Sequence, residues 1–352
     1  MRCSQLTSGV VLADDATGAL ECASVLAGLG LAVALTLEAD PQESRAILVA
    51  DTESRHLLAT EARRRIANWA ECSASAIFKK TDSTLRGNIG PELLALLPRG
   101  PLVYVPAYPA LGRTVQDGRL LVHGVPVEQT EFACDPRHPV RSSVIADLFP
   151  PQFVVSIRDA SELKRFLERH EKKIAICDAS REEDLDRLTE ALCAQKVTVA
   201  GPGGFVKAWA SLGDYPLQPS APHPVVRDWL VVCGSRHPQS RRQAQLAERG
   251  GLAVLVSTPE GRSPEAVPEA VATELAQRAV KWIALHRPQG VLIMGGDTAW
   301  ALWRALGISQ LTPLREVMPG VAACLSGDLL FVTKAGGFGE DDLVTRVRER
   351  FV

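Results

Sequence analysis

Short apolar runs alternate with helical stretches along nearly the whole chain, and this alternation limits the fold more than any other feature. Val10 to Ala13, Ala32 to Leu37, Ala46 to Ala50, Ala74 to Phe78, Leu102 to Val105, Phe153 to Ile157, Lys173 to Asp178 and Val197 to Gly201 read as strands. Between them, Leu20 to Leu29, an Ala- and Arg-rich stretch ending at Ala70, Leu93 to Leu97, Ala160 to His170, Glu182 to Ala194 and Val206 to Ser211 read as helices. Such alternation builds a mainly parallel sheet flanked by helices. A stretch from Tyr215 to Pro224 holds four prolines and no periodicity, which marks a linker. Beyond it the pattern resumes with strands Trp229 to Cys233, Ala253 to Val256 and Gly290 to Met294 and helices Gln239 to Arg249, Glu265 to His286 and Ala299 to Leu306. Two more apolar segments, Val317 to Cys324 and Leu329 to Thr333, precede a last helix. The expectation is an α/β chain of two domains, residues 1–214 and 227–352, joined by a Pro-rich linker at 215–226, each with a mainly parallel sheet flanked by helices. Pro106 to Gly118 reads as a long irregular loop, Leu120 to Val127 as a hairpin around His123-Gly124, and Glu131 to Ser143 as a polar surface loop.

Of the 352 residues 46% are apolar, enough for buried cores, and the net charge of −2 argues against a generally basic nucleic-acid or membrane-surface binder. Eight cysteines form no Cys-x-x-Cys pair and the histidines are dispersed, so free thiols in a reducing cytoplasm are expected and a zinc site is not. No targeting segment or membrane span is read, and a homodimer is left open.

The chemistry gathers at strand ends, where open α/β sheets place their ligands. The strand ending at Phe78 leads into Lys79-Lys80-Thr81-Asp82-Ser83-Thr84-Leu85-Arg86-Gly87-Asn88, before a helix opened by Pro91. Cations and donors there suit an anionic, polyhydroxylated ligand. The first strand ends in Asp14-Asp15-Ala16-Thr17-Gly18; helix capping accounts for one aspartate but not the second. The third ends in Asp51-Thr52-Glu53-Ser54-Arg55. In the second domain, Gly234-Ser235, Gly295-Gly296-Asp297-Thr298 and Lys334 to Gly339 are three glycine-bearing turns at strand ends. Glycine lets backbone approach a phosphate, and helix starts offer free N–H groups, so these turns suit a nucleotide; no Walker A motif occurs.

Together these stretches resemble the four-carbon acid sugar kinase family, formerly a domain family of unknown function, over nearly the whole chain. Val105-Pro106-Ala107-Tyr108-Pro109 and Gly112-Arg113-Thr114 extend the match. The resemblance implies an amino-terminal domain for the acid sugar and a carboxyl-terminal domain for ATP. It also implies ATP- and Mg2+-dependent phosphorylation of the terminal hydroxyl of threonate, erythronate or 3-oxo-tetronate. It places the acid sugar on Asp14, Arg55, Lys80, Thr81, Asp82 and Ser83, and ATP on Ser235, Gly295, Gly296, Asp297, Thr298, Gly336, Gly337, Phe338 and Gly339. Ala16 stands where the family usually has Phe, and Thr81 where it usually has Ile.

The expected enzyme is therefore an ATP-dependent sugar-acid kinase. Arg55, Lys80 and Arg86 would hold the substrate carboxylate or the moving phosphoryl group. Asp14 and Asp15 would accept from hydroxyls, and either Asp15 or Asp82 would orient or deprotonate the attacking one. Closure about the linker would exclude water. The alternative is a non-catalytic, nucleotide-responsive sugar-acid binding or regulatory protein. A nicotinamide-dependent dehydrogenase is suggested only by Gly201-Pro202-Gly203-Gly204, which lacks the fingerprint's last glycine.

Overall fold

The computed structural model describes residues 8–37, 47–72, 76–135, 137–193, 195, 197–217, 224–257, 268–318, 320–334, 337 and 339–352. Within the first half the order is β1 (Gly9–Ala13), α1 (Ala16–Gly28), β2 (Val33–Thr36), β3 (Ile47–Asp51), α2 (Ala59–Cys72), β4 (Ala76–Lys80), α3 (Ile89–Leu96) and β5 (Leu102–Tyr104). Then come β6 (Arg113–Gln116), β7 (Arg119–Val122), β8 (Val125–Pro126), β9 (Val154–Ile157), α4 (Ala160–Glu168), β10 (Ile174–Cys177), α5 (Glu182–Leu192), β11 (Thr198–Gly201) and α6 (Gly203–Ala210). The second half holds β12 (Trp229–Cys233), α7 (Pro238–Arg249), β13 (Ala253–Val256), α8 (Pro268–His286), β14 (Gly290–Met294), α9 (Gly296–Ala305), β15 (Gln310–Pro313), β16 (Val321–Ser326), β17 (Leu329–Lys334) and α10 (Leu343–Glu349).

The strands form one 14-stranded sheet, ordered β13-β12-β14-β17-β16-β15-β2-β3-β1-β4-β11-β5-β10-β9. All neighbours from β2 to β9 are parallel, as are β13, β12, β14 and β17. The halves join where β15 runs antiparallel to β2, pairing Gln310 with Thr36 and Leu311 with Leu35. In a flat sheet this junction would send the two sets of carboxyl ends to opposite edges. Six strand pairs separate β1 from β14, and a twist of about 20–25° per pair turns the sheet enough to bring the two sets of tips round towards each other.

One expectation is corrected here. The stretch read as a long loop contains β6, and β6, β7 and β8 make a three-stranded antiparallel meander. Its turns put Asp117 and Gly118 at φ 48° and 70°, and His123 and Gly124 at φ 50° and 81°, the paired positive angles of a two-residue hairpin turn. The two halves pack directly on one another. One buried cluster runs from Leu12, Leu20 and Phe78 to Val232, Ile293, Trp303 and Phe331, and Ser24 of α1 donates to the Ala323 carbonyl of β16 at 3.1 Å. A continuous apolar interface of this kind opposes free hinge motion. Residues 218–223 of the Pro-rich stretch lie outside the described residues.

The thiol expectation holds in part. Cys22, Cys177, Cys233 and Cys324 are buried free thiols and Cys134 is an exposed one, but Cys193 is disulfide-bonded. Among the described residues no helix is long and apolar enough to cross a membrane.

Helix α3, which carries the basic loop, starts at Ile89, so Pro91 sits inside its first turn. Its Gly90 lies against the chain at Leu148: a Cβ there would fall 2.1 Å from the Leu148 carbonyl oxygen. Gly90→Ala is expected to cost about 1–3 kcal/mol by overpacking, read as a lowered denaturation midpoint; an unchanged midpoint would contradict this packing.

Candidate active site

At the end of β1, Asp15 caps α1 by accepting from the Gly18 N–H at 2.8 Å, leaving Asp14 as the aspartate that capping does not explain. The Asp14 carbonyl accepts from the N–H groups of Ser54 and Arg55, which draws the β3 tip over β1. Arg55 then grips both carboxylates. Its Nε and Nη2 donate to Asp14 at 2.7 and 3.1 Å, and its Nη1 donates to Asp15 Oδ2. Asp82 Oδ2 lies 3.6 Å from Arg55 Nη2 and 2.7 Å from Arg86 Nη2. Arg86 also reaches Asp135 at 3.3 Å and stacks over Phe132. The result is a nearly buried network of alternating charge across three strand tips.

Burial alone would raise the Asp14 carboxyl, but Arg55, Lys79 and Lys80 outweigh it and hold it below the ordinary carboxylate range. Asp82 is held well below that range, Arg86, Arg55 and Thr84 overcoming its burial. Burial disfavours the Lys80 ammonium, yet Glu21, 3.6 Å away, and Asp14 raise its pKa. Depressed carboxylates stabilise the fold above their unfolded pKa, near 4, and lose that contribution as pH falls through the folded value. Asp82→Asn should therefore lower the denaturation midpoint at pH 7 and flatten its decline as pH falls below about 4; equal declines in the two proteins would contradict this ion pairing.

The loop itself is strained. Leu85, buried, has φ 65°, and Glu53 in the neighbouring tip has φ 46°, both in the left-handed region that non-glycine residues avoid. Such angles concentrate at functional sites. Lys79 points away from the crevice: fully buried, it pairs with Glu92 at 3.0 Å and donates to the Lys80 carbonyl. Thr81 is fully buried too, its N–H bonded to Gly201, whereas Ser83 is partly exposed.

In the second half the glycine turns follow β12, β14 and β17, which are adjacent. Ser235 donates its N–H to the Met294 carbonyl, and Gly295 donates its own to Lys334. Gly295 precedes α9 with φ 117°. A Cβ on Gly234 would fall 1.9 Å from Thr298 Oγ1, so close packing requires glycine there. Gly337 lies beside His237, and the Gly339 carbonyl accepts from Gln239 and Gln243. Gly336 and Phe338 lie outside the described residues.

The two sets of tips meet. A Cβ on Gly296 would stand 2.6 Å from Thr17 Oγ1 and 3.4 Å from Asp15 Oδ2. Asp297 faces His56 at 3.3 Å and Arg137 at 3.8 Å, and His56 stacks on His138. Glu21, His56, Asp135, Arg137 and His138 escaped the sequence reading. Glu21 could have been found, since it follows Thr17 by one helical turn; Asp135 to His138 sat in a stretch that looked like plain surface loop.

These features define a two-part α/β protein, with a carboxylate–guanidinium network at the strand tips of one half facing glycine turns at those of the other. Residues 9–209 match the family model for a sugar-binding N-terminal domain, and residues 256–344 that for a nucleotide-binding C-terminal domain. The chain is 30% identical to a D-threonate kinase of Salmonella typhimurium (strain LT2), over 94% of this chain and 95% of that one. It is 33% identical to a D-erythronate kinase of Heliobacterium modesticaldum, over 69% of this chain and 61% of that one. A solved structure from Salmonella typhimurium LT2 shares the fold with a TM-score of 0.75 at 21% identity, covering 99% of this chain and 100% of that one. The chain belongs to the four-carbon acid sugar kinase family.

Proposed function

We propose that the protein transfers the γ-phosphoryl group of ATP to the terminal hydroxyl of a four-carbon acid sugar such as threonate, erythronate or 3-oxo-tetronate. The observation that carries this reading is the approach of Gly296 and Asp297 to Thr17, Asp15 and His56. It puts a phosphate-type turn within reach of acids suited to hold a hydroxyl. Phosphoryl transfer needs positioning and charge neutralisation more than covalent chemistry. Lys80 and Arg86 supply charge for the substrate carboxylate or the moving group, and Arg55 fixes the acids that meet the hydroxyls. The backbone N–H groups at the start of α9, around Gly296 to Thr298, and those of Gly337 and Gly339 suit the nucleotide phosphates, and Ser235 offers its hydroxyl.

Of the two aspartates considered for the attacking hydroxyl, Asp15 is the better placed. Asp82 Oδ1 already accepts from the Thr84 N–H, the Thr84 hydroxyl and Arg86, and its carboxyl sits too low to take a proton readily. Asp15 is more exposed and faces Gly296. No trio of His, Cys, Asp or Glu able to hold a metal occurs among the described residues. That suits Mg2+, which is ordinarily held by nucleotide phosphates, waters and one or two carboxylates. Asp15 and Asp297 are the carboxylates at the crevice that could serve, and the ion would neutralise phosphoryl oxygens.

The test is ADP release by purified protein with ATP, Mg2+ and a panel of four- and five-carbon acids. Stimulation by at least one four-carbon acid is expected. If none stimulates release the kinase reading fails, and acid binding without turnover would favour the regulatory alternative.

A further inference from the structure

We propose that a cavity between the β3 tip, α2 and α9 is a second ligand site, built for a small planar organic anion and separate from the crevice described above. The cavity measures about 560 Å³, a size typical of small-molecule sites. Asp51, Thr52, Arg65 and Trp69 line it from the first half, and Trp300 and Arg304 from the second. Two buried polar atoms in this lining have no hydrogen-bond partner, Asp51 Oδ2 and Trp300 Nε1. Asp51 is 7% exposed, and its other oxygen accepts from the Glu53 N–H at 2.9 Å. A buried polar atom without a partner is costly, and in a cavity of this size a bound ligand or an ordered water satisfies it.

The chemistry of that ligand follows from the lining. Burial pushes the Asp51 carboxyl well above its ordinary range, which favours the protonated form, and that form can donate from Oδ2. The Trp300 indole only donates. Arg304 lies over the Trp300 ring at 4.9 Å, and Arg65 uses Nη1 on the Thr52 carbonyl, so two guanidiniums border the space. Among the described residues of the lining, Glu53 is the acid that faces both guanidiniums, and burial raises its carboxyl while Arg304 and Arg65 lower it. Donors and positive charge prevail, between walls formed by Trp69, Trp300, Leu37 and Ile308. A flat apolar body carrying a carboxylate or similar anion complements this set. A polyhydroxylated sugar acid does not match the indole walls, and the glycine of the lining, Gly307, follows the end of α9 rather than opening a helix, so it offers no phosphate-type turn.

The site touches the crevice through the β3 tip, which runs on from Asp51 to Arg55, and through α9. Helix α9 begins at Gly296 and carries Arg304 seven residues beyond Asp297, about 10 Å along the axis. A ligand here braces both halves without occupying the space between Asp15 and Gly296. The inference does not depend on the kinase reading.

The probe is 2-naphthoate, titrated into the full chain with and without saturating ADP, read by tryptophan fluorescence and calorimetry. Saturable binding of one naphthoate per chain, unchanged by ADP, is expected. Arg304→Gln should weaken it at least about tenfold, the loss of a charge-assisted hydrogen bond, and the cationic 2-naphthylmethylamine should bind at least as much more weakly. Trp300→Phe, which keeps the ring and loses the N–H, should weaken it severalfold and serves if Arg304→Gln proves unstable. Absence of saturable binding, equal binding by both variants, or displacement of naphthoate by ADP would overturn the proposal.

Discussion

Arg55→Met is expected to reduce kcat/KM for the acid sugar by about a thousandfold or more while ADP affinity stays within a few fold. The arginine makes three hydrogen bonds to Asp14 and Asp15 and stands 3.6 Å from Asp82. Methionine keeps much of the bulk and removes every one of those interactions. Breaking a buried ion pair by removing one partner costs about 3–5 kcal/mol, because the other charge is left uncompensated. Asp14, 2% exposed, would relieve that cost by taking up a proton or by turning away. Either response changes the acceptors that meet the substrate hydroxyls. Arg55→Lys should recover only a small part of the activity, since a point charge cannot reproduce the two-carboxylate fork. The readouts are steady-state ADP release and calorimetric titration with ADP. A loss below about tenfold, or an equal loss of ADP affinity, would contradict the division of labour between the two sides.

Gly296→Val should impair both sides at once. The sequence alone suggests a defect confined to ATP, because the residue belongs to a glycine turn. The geometry says otherwise: the new Cβ would lie 2.6 Å from Thr17 Oγ1 and 3.4 Å from Asp15 Oδ2. A 2.6 Å approach is shorter than real contacts, so Thr17 must turn away or α9 must draw back from the Asp15 tip, and the added valine methyls enlarge that shift. Turnover is expected to fall by about a thousandfold, roughly 4 kcal/mol of transition-state stabilisation, because displacements of about 1 Å already cost about a hundredfold. ADP affinity should fall at least about tenfold, and binding of the acid sugar should weaken as well. Calorimetry with each ligand separates the outcomes. Normal acid-sugar binding in this variant would show that the two tips do not share the crevice.

Much of the architecture was legible because parallel strands buried on both faces read as continuous apolar runs, as Val10 to Ala13 and Gly290 to Met294 do. The strand that joins the halves was not legible. Gln310–Pro313 has a burial pattern of alternating exposed and buried residues, is four residues long and ends in proline, so nothing marks it as the bridge between two domains. The meander was missed at Arg113 because only one of its two hairpin turns, His123-Gly124, was read as such; Asp117-Gly118 carries the same signal. At the site, the polar tips were visible but their partnership was not. Arg55 lies 40 residues from Asp15, and only the order β3-β1-β4 brings the tips together. Asp82 was the opposite case. Its partners Thr84 and Arg86 are two and four residues away, so its saturation by its own loop could have been anticipated from sequence.

The most direct test is phosphorus NMR of the product made from ATP and whichever four-carbon acid stimulates ADP release. Transfer to the terminal hydroxyl predicts a phosphomonoester resonance split into a triplet by the two protons of the terminal carbon, in amounts equal to the ADP formed. A doublet, which a phosphate on an interior CH would give, or inorganic phosphate alone, would contradict the account.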